Sequence, residues 1–163
     1  STYEKNNLRQ RERSTSSHNT VQIENLEQTQ VWDGFRVAKR AKVNILKEEY
    51  NLIKASHDGY QNKGYYHTRT YMWEEKFIII KDEINKSTNN KSKAFFHLHS
   101  SLNKPLIKEN KVILEPLESY ITFINAASIE IDQYQLSQGF NKTEFAFKII
   151  VTFDKSLETK ILI

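Results

Sequence analysis

Tyr65-Tyr66-His67-Thr68-Arg69-Thr70-Tyr71-Met72-Trp73 and Phe77-Ile78-Ile79-Ile80-Lys81-Asp82 are two strand-length runs joined by Glu74-Glu75-Lys76. Aromatic and β-branched residues fill both, which favours a pleated, half-buried backbone. A short polar connector between two such runs predicts an antiparallel hairpin.

Working outward, the same signal recurs. Residues 94–100 alternate, with Phe95, His97 and His99 on one face and Phe96 and Leu98 on the other. Strand-length runs follow at 112–114, 120–124, 128–131, 144–153 and 159–163. Upstream, 20–24 alternates and 25–29 reads as a turn. Residues 31–34 lead into 35–38 and then 41–46, which read as strand-like and basic; 48–50 reads as an interruption, and 52–56 as a further short element. His57-Asp58-Gly59-Tyr60 is turn chemistry, and Leu8–Arg13 suits a short helical turn. Strands at this spacing, with no long amphipathic helix, predict an all-β antiparallel sandwich.

Composition narrows the chemistry. The chain has 163 residues, enough for one core, and a net charge of +4 from 24 basic and 20 acidic residues. So small an excess does not require a nucleic-acid partner. Cysteine is absent, which excludes disulfides and thiolate catalysis. With 4 glycines, no Gly-rich phosphate cradle exists. No apolar run approaches the ~18 residues that cross a membrane as a helix. The start carries neither a secretory pattern nor an initiator Met, so the chain reads as a piece of something longer.

The densest cluster of reactive side chains is Arg11-Glu12-Arg13-Ser14-Thr15-Ser16-Ser17-His18-Asn19-Thr20-Val21. His18 fits either a hydrogen-bonded surface residue or a metal ligand whose tautomer is set by polar neighbours. His67 and Arg69 share a strand face and suit either a solvated surface or the grip of a carboxylate. The basic run 36–42 suits an anion or a solvated face. Neither G-x-S-x-G nor H-E-x-x-H occurs, and no carboxylate pair for glycoside hydrolysis stands out.

The order of segments resembles a known family. Tyr3, the Arg9-x-Arg11-x-Arg13 run, Arg13-Ser14-Thr15-x-x-His18-Asn19-Thr20-Val21, Gln30-x-Trp32-x-Gly34-Phe35-Arg36, His57-Asp58-Gly59-Tyr60, His67-x-Arg69 and Ile80-x-Asp82 look like the C-terminal region of heparinase II/III-type polysaccharide lyases. The resemblance is sharpest over residues 3–82. It implies one β-sandwich domain over residues 1–163, with 1–19 lining a cleft against an N-terminal α/α-toroid. It also implies β-elimination at a uronic acid. Tyr3 matches a tyrosine that reaches the substrate, and is the candidate catalytic residue. His18 matches the third ligand of a family zinc site. The other ligands lie in H-x-H-x-D and D-x-G-T segments, which this sequence lacks.

The expectations are therefore specific. Arg9, Arg13, His67 and Arg69 bind the carboxylate or sulfate of an acidic polysaccharide. The chain alone binds no zinc tightly and has no lyase turnover. Its partners are the polysaccharide and the toroid, not nucleic acid or membrane, and its parent works in the periplasm or outside the cell. The alternative is a non-catalytic carbohydrate-binding or structural sandwich.

Overall fold

The hairpin at 65–82 sits inside a broad antiparallel sheet. A computed structural model describes residues 7–32, 36–139 and 142–163. One short helix, α1 (Asn7–Glu12), and a 3-10 turn at Thr15–Ser17 precede the strands. In chain order these are β1 (Val21–Ile23), β2 (Val43–Glu49), β3 (Leu52–His57), β4 (His67–Trp73), β5 (Phe77–Ile84), β6 (Ser92–His97), β7 (Leu106–Lys108), β8 (Lys111–Leu114), β9 (Ser119–Ile124), β10 (Ser128–Gly139), β11 (Lys142–Phe153) and β12 (Ser156–Leu162).

They form two sheets. One has the order β1-β6-β11-β10, the other β2-β3-β4-β5-β12-β9-β8-β7. The ladders that join them are antiparallel throughout. Val21, Ile23, Phe96, Ile149, Val151 and Phe153 from the smaller sheet meet Ile80, Ile84, Val112, Ile121, Phe123 and Leu157 from the larger in one core. This is the expected all-β sandwich. No helix among the described residues is long and apolar enough to cross a membrane.

The alternation Ile80-Lys81-Asp82-Glu83-Ile84 decides what β5 sends inward. Ile80, Asp82 and Ile84 are buried, while Lys81 and Glu83 face out. A carboxylate thus sits at a core position between two isoleucines. Its neighbour across β4 is Arg69, and β12 places Leu157 on its other side.

Several local expectations needed correction. Among the described residues of 31–46, only Val43 onward belongs to a named strand. Val31 and Val37 meet in an isolated bridge, and Gln30 exchanges backbone hydrogen bonds with Ala38 and Lys39. Local pairing took the groups that a long strand would have used. The interruption read at 48–50 falls later: β2 continues to Glu49, paired with Leu52, and the turn is Tyr50-Asn51. β10 runs well beyond residue 131 because β11 supplies a partner along its whole polar length. β7, a fully exposed edge strand, carried no apolar pattern to find.

The larger sheet is wider than the smaller one. Val43 and Ile45, on the face that carries His57 and Ala55, remain exposed at its β2 margin. Strand β1 and the residues just before it lie over β4 nearer the core, and that edge is where the candidate site forms.

Candidate functional site

The segment from Arg11 to Thr20 is a tightly tied loop. The Oγ atoms of Ser14 and Ser17 both donate to the Arg11 carbonyl, at 2.7 and 2.6 Å. Thr15 is buried; its N–H donates to Glu27 Oε2 at 2.6 Å, and its Oγ1 accepts the Gln28 N–H at 3.0 Å. Asn19 reaches furthest. Its Oδ1 accepts the backbone N–H of His97 at 2.7 Å and lies 2.9 Å from His97 Nδ1. Its backbone carbonyl accepts Arg69 Nη1 at 2.7 Å. Thr20 Oγ1 accepts Gln28 Nε2 at 2.7 Å. The polar residues around His18 are thus a clamp, and His18 itself is left exposed.

Beneath the clamp lies a buried polar network. Arg69 grips Asp82 with Nε on Oδ1 at 2.7 Å and Nη2 on Oδ2 at 3.0 Å. His67 Nε2 lies 2.7 Å from the same Oδ1, and His67 Nδ1 lies 3.1 Å from His57 Nε2. His57 Nδ1 accepts the Gly59 N–H at 3.2 Å. Reading the hydrogen bonds in that order gives one consistent assignment. His57 carries its proton on Nε2 and donates to His67, and His67 donates to Asp82. Gly59 has to be glycine here: a Cβ would stand 2.9 Å from the Gln28 carbonyl oxygen and 3.0 Å from His57 Nδ1.

The charges follow from this geometry. Burial pushes the Asp82 carboxyl up, but the guanidinium of Arg69 and the His67 hydrogen bond outweigh it and hold it below the usual carboxylate range. Burial likewise works against the charge on Arg69, and Asp82 reverses that. Burial, then the neighbouring His67, brings His57 down to about 4. Burial, then Lys148 and His18, brings His97 down to about 4. Both rings are therefore neutral at pH 7.

Both histidines titrate lower in the folded chain than the ordinary 6.5. The unfolded chain then binds more protons between pH 6.5 and 4. Their contribution is fully present above pH 6.5 and is lost as pH falls toward 4. For His57, with solvent screening allowed for, the loss is about 2 kcal/mol. Urea midpoints measured between pH 7 and 4 check this. The wild type is expected to weaken steadily and His57→Gln to show a flatter profile; equal slopes would refute the neutral assignment of His57.

The candidate residues fall into separate groups. Arg13 and His18 come together with Arg40, Glu12, Gln28 and Thr29 around an open cavity of about 520 Å³. Arg9 is half-buried in α1. Tyr3 lies outside the described residues. His67 and Arg69 do hold a carboxylate, but it is that of Asp82, and Arg69 is tied to the His18 loop through Asn19. Arg40 was read only as part of a basic run. Gln28 and Asn19 were missed, since His57 beside Gln28 and His97 and Arg69 beside Asn19 lie far along the chain. Asp82 carried a usable signal, its place between Ile80 and Ile84.

The family model described as Heparinase II/III-like, C-terminal matches residues 1–163. Among solved structures, the chain is similar to heparan sulfate lyase HepC from Pedobacter heparinus, with a TM-score of 0.69 and 17% identity over 95% of this chain and 25% of that one. It is also similar to a heparinase III gene product, with a TM-score of 0.67 and 14% identity over 98% of this chain and 26% of that one. At such identities the likeness is one of fold. The chain spans about a quarter of the length of these proteins. No curated protein matches it.

Proposed function

Because the chain belongs to the heparinase II/III-like C-terminal family along its whole length, we propose that it forms the β-sandwich wall of a polysaccharide-lyase cleft, with the Arg13–His18–Arg40 cavity taking the acidic group of a uronate unit. The observation that carries this reading is the convergence of two guanidinium-bearing residues beside an exposed imidazole, on a loop clamped from below. Guanidinium forks suit carboxylate and sulfate oxygens.

The reaction proposed is β-elimination. A base removes the proton at C5, the C4–O4 bond breaks, a C4=C5 double bond forms, and an acid returns a proton to O4. Negative charge develops on the uronate carboxylate as C5 loses its proton. Cations already aimed at that group stabilise the transition state. Arg13 and Arg40 take this role, Arg9 is proposed to add positive charge, and Tyr3 is the proposed proton-transferring residue. His67 and Arg69 act as positioning residues, since their donors are committed to Asp82 and Asn19. Residues beyond this chain supply the opposite wall, in keeping with the greater length of the similar lyases.

A zinc site needs three or four converging ligands. His18 offers one exposed imidazole, and among the described residues no group of three His, Asp or Glu residues is placed to hold a metal ion. No step is proposed through a metal.

The test is a titration of this chain with a uronate oligosaccharide, followed by amide shifts. Perturbation is expected around Arg13, His18 and Arg40, weakening as salt rises. Arg40→Ala is expected to weaken binding roughly tenfold, the equivalent of about 1.4 kcal/mol. The chain alone is expected to produce no ultraviolet absorbance from unsaturated uronate. Equal binding by Arg40→Ala would sink the assigned cavity, and turnover by the chain alone would sink the need for a second wall.

A further inference from the structure

A second cavity, of about 350 Å³, lies on the outer face of the smaller sheet. Register places His97, Lys148 and Asp132 side by side across β6, β11 and β10. Tyr134 stands two residues beyond Asp132, on the same face. The alternate residues Ile149, Val151 and Phe153 fill the core, so this row points away from it. Arg11, Glu12 and Ser16 of the clamped loop supply the facing wall.

Two features of the row bear on a ligand. Tyr134 is braced: its hydroxyl donates to the Leu98 carbonyl at 2.8 Å, and its ring meets His97 edge-on, with centroids 4.8 Å apart at 86°. Lys148 pairs with Asp132 at 3.2 Å, and its side chain is only 17% exposed against 55% for the carboxylate. The lining charges balance, Arg11 and Lys148 against Glu12 and Asp132. An anionic ligand would meet two carboxylates and a cationic one two cations. A hydroxyl both donates and accepts, so neighbouring hydroxyls can satisfy acceptors and donors spaced in this way. A rigid aromatic wall with a few placed polar groups is the usual make-up of a small-molecule site.

We infer that this groove binds an uncharged, hydroxylated sugar ring, a subsite separate from the cation-rich His18 cavity on the other side of the same loop. It rests on the saccharide reading above, and extends it to the neutral units of a mixed polysaccharide.

The experiment is an NMR titration of the 163-residue chain with tri-N-acetylchitotriose, a neutral saccharide, in low and high salt. Amide shifts are expected at Asp132, Tyr134, Lys148 and Ser16, with an affinity that salt leaves unchanged. Tyr134→Ala is expected to weaken binding at least tenfold. Asp132→Asn, at an exposed position where folding is retained, is expected to weaken it severalfold, while Arg40→Ala leaves it intact. Shifts that map to the His18 cavity, no binding at all, or unchanged affinity in Asp132→Asn would each overturn the inference. Uronate binding that is lost in Arg40→Ala would persist in that event, so failure here is distinguishable from failure of the uronate cavity.

Discussion

Replacing Asp82 by alanine is expected to cost about 3–5 kcal/mol of stability, the loss typical of breaking a buried ion pair on one side. Asp82 has no exposed surface and takes both the Arg69 fork and His67. Without it, Arg69 Nε and Nη2 and His67 Nε2 lose their acceptor in the interior. Asp82→Asn keeps the shape but removes the charge, and is expected to fall between the two. The double variant Asp82→Leu with Arg69→Met removes both charges and is expected to recover much of the loss. Chemical denaturation of the three variants measures this; a cost below about 1 kcal/mol for Asp82→Ala would show the pair to be energetically idle. The consequence reaches the His18 loop, because Arg69 Nη1 holds the Asn19 carbonyl. The amide signals of Asn19 and His97 are expected to shift in Asp82→Ala.

The second large effect belongs to Phe123. This residue of β9 is 1% exposed, and its ring lies 5.5 Å from that of Phe96 in β6, tilted by 54°. The contact joins the two sheets where the core is thickest. Phe123→Ala is expected to cost about 3–5 kcal/mol, from lost transfer energy plus the cavity left behind. Phe145→Ala, at a position 68% exposed, is expected to stay within about 0.5 kcal/mol of the wild type. Equal midpoints for the two variants would contradict the placement of the core.

How much of this was legible beforehand differs by element. The hairpin at 65–82 was legible because β-branched and aromatic residues bracket a polar connector, and that signal is local. The extension of β10 past residue 131 was not, because Gln133, Gln135 and Gln138 offer no apolar period; their strand exists by virtue of its partner β11. The run at 31–38 misled because Val31 and Val37 pair in an isolated bridge and Ala38 bonds back to Gln30, rather than to a long strand.

The candidate site divides in the same way. The Arg13–Val21 motif, with Arg9, Tyr3 and His18, was visible as a string of residue types in order, and the family followed from that string. The roles of His67 and Arg69 were half visible: one strand face, suited to a carboxylate. Only the fold supplied the carboxylate, by putting Asp82 opposite Arg69 in the β4–β5 register. Asn19 bonds to His97, 78 residues away, and no local period encodes such a distance.

By itself, then, the sequence determined the all-β antiparallel class and the family, because side-chain alternation and motif order are properties of neighbouring residues. The tertiary structure alone decided that Arg69 and His67 pair internally with Asp82. Pairing depends on strand register and on the stacking of the two sheets, and both are set by packing between residues far apart in the chain. His67 and Arg69 turned inward for that reason, and Arg13 and Arg40 came to line the cavity beside His18.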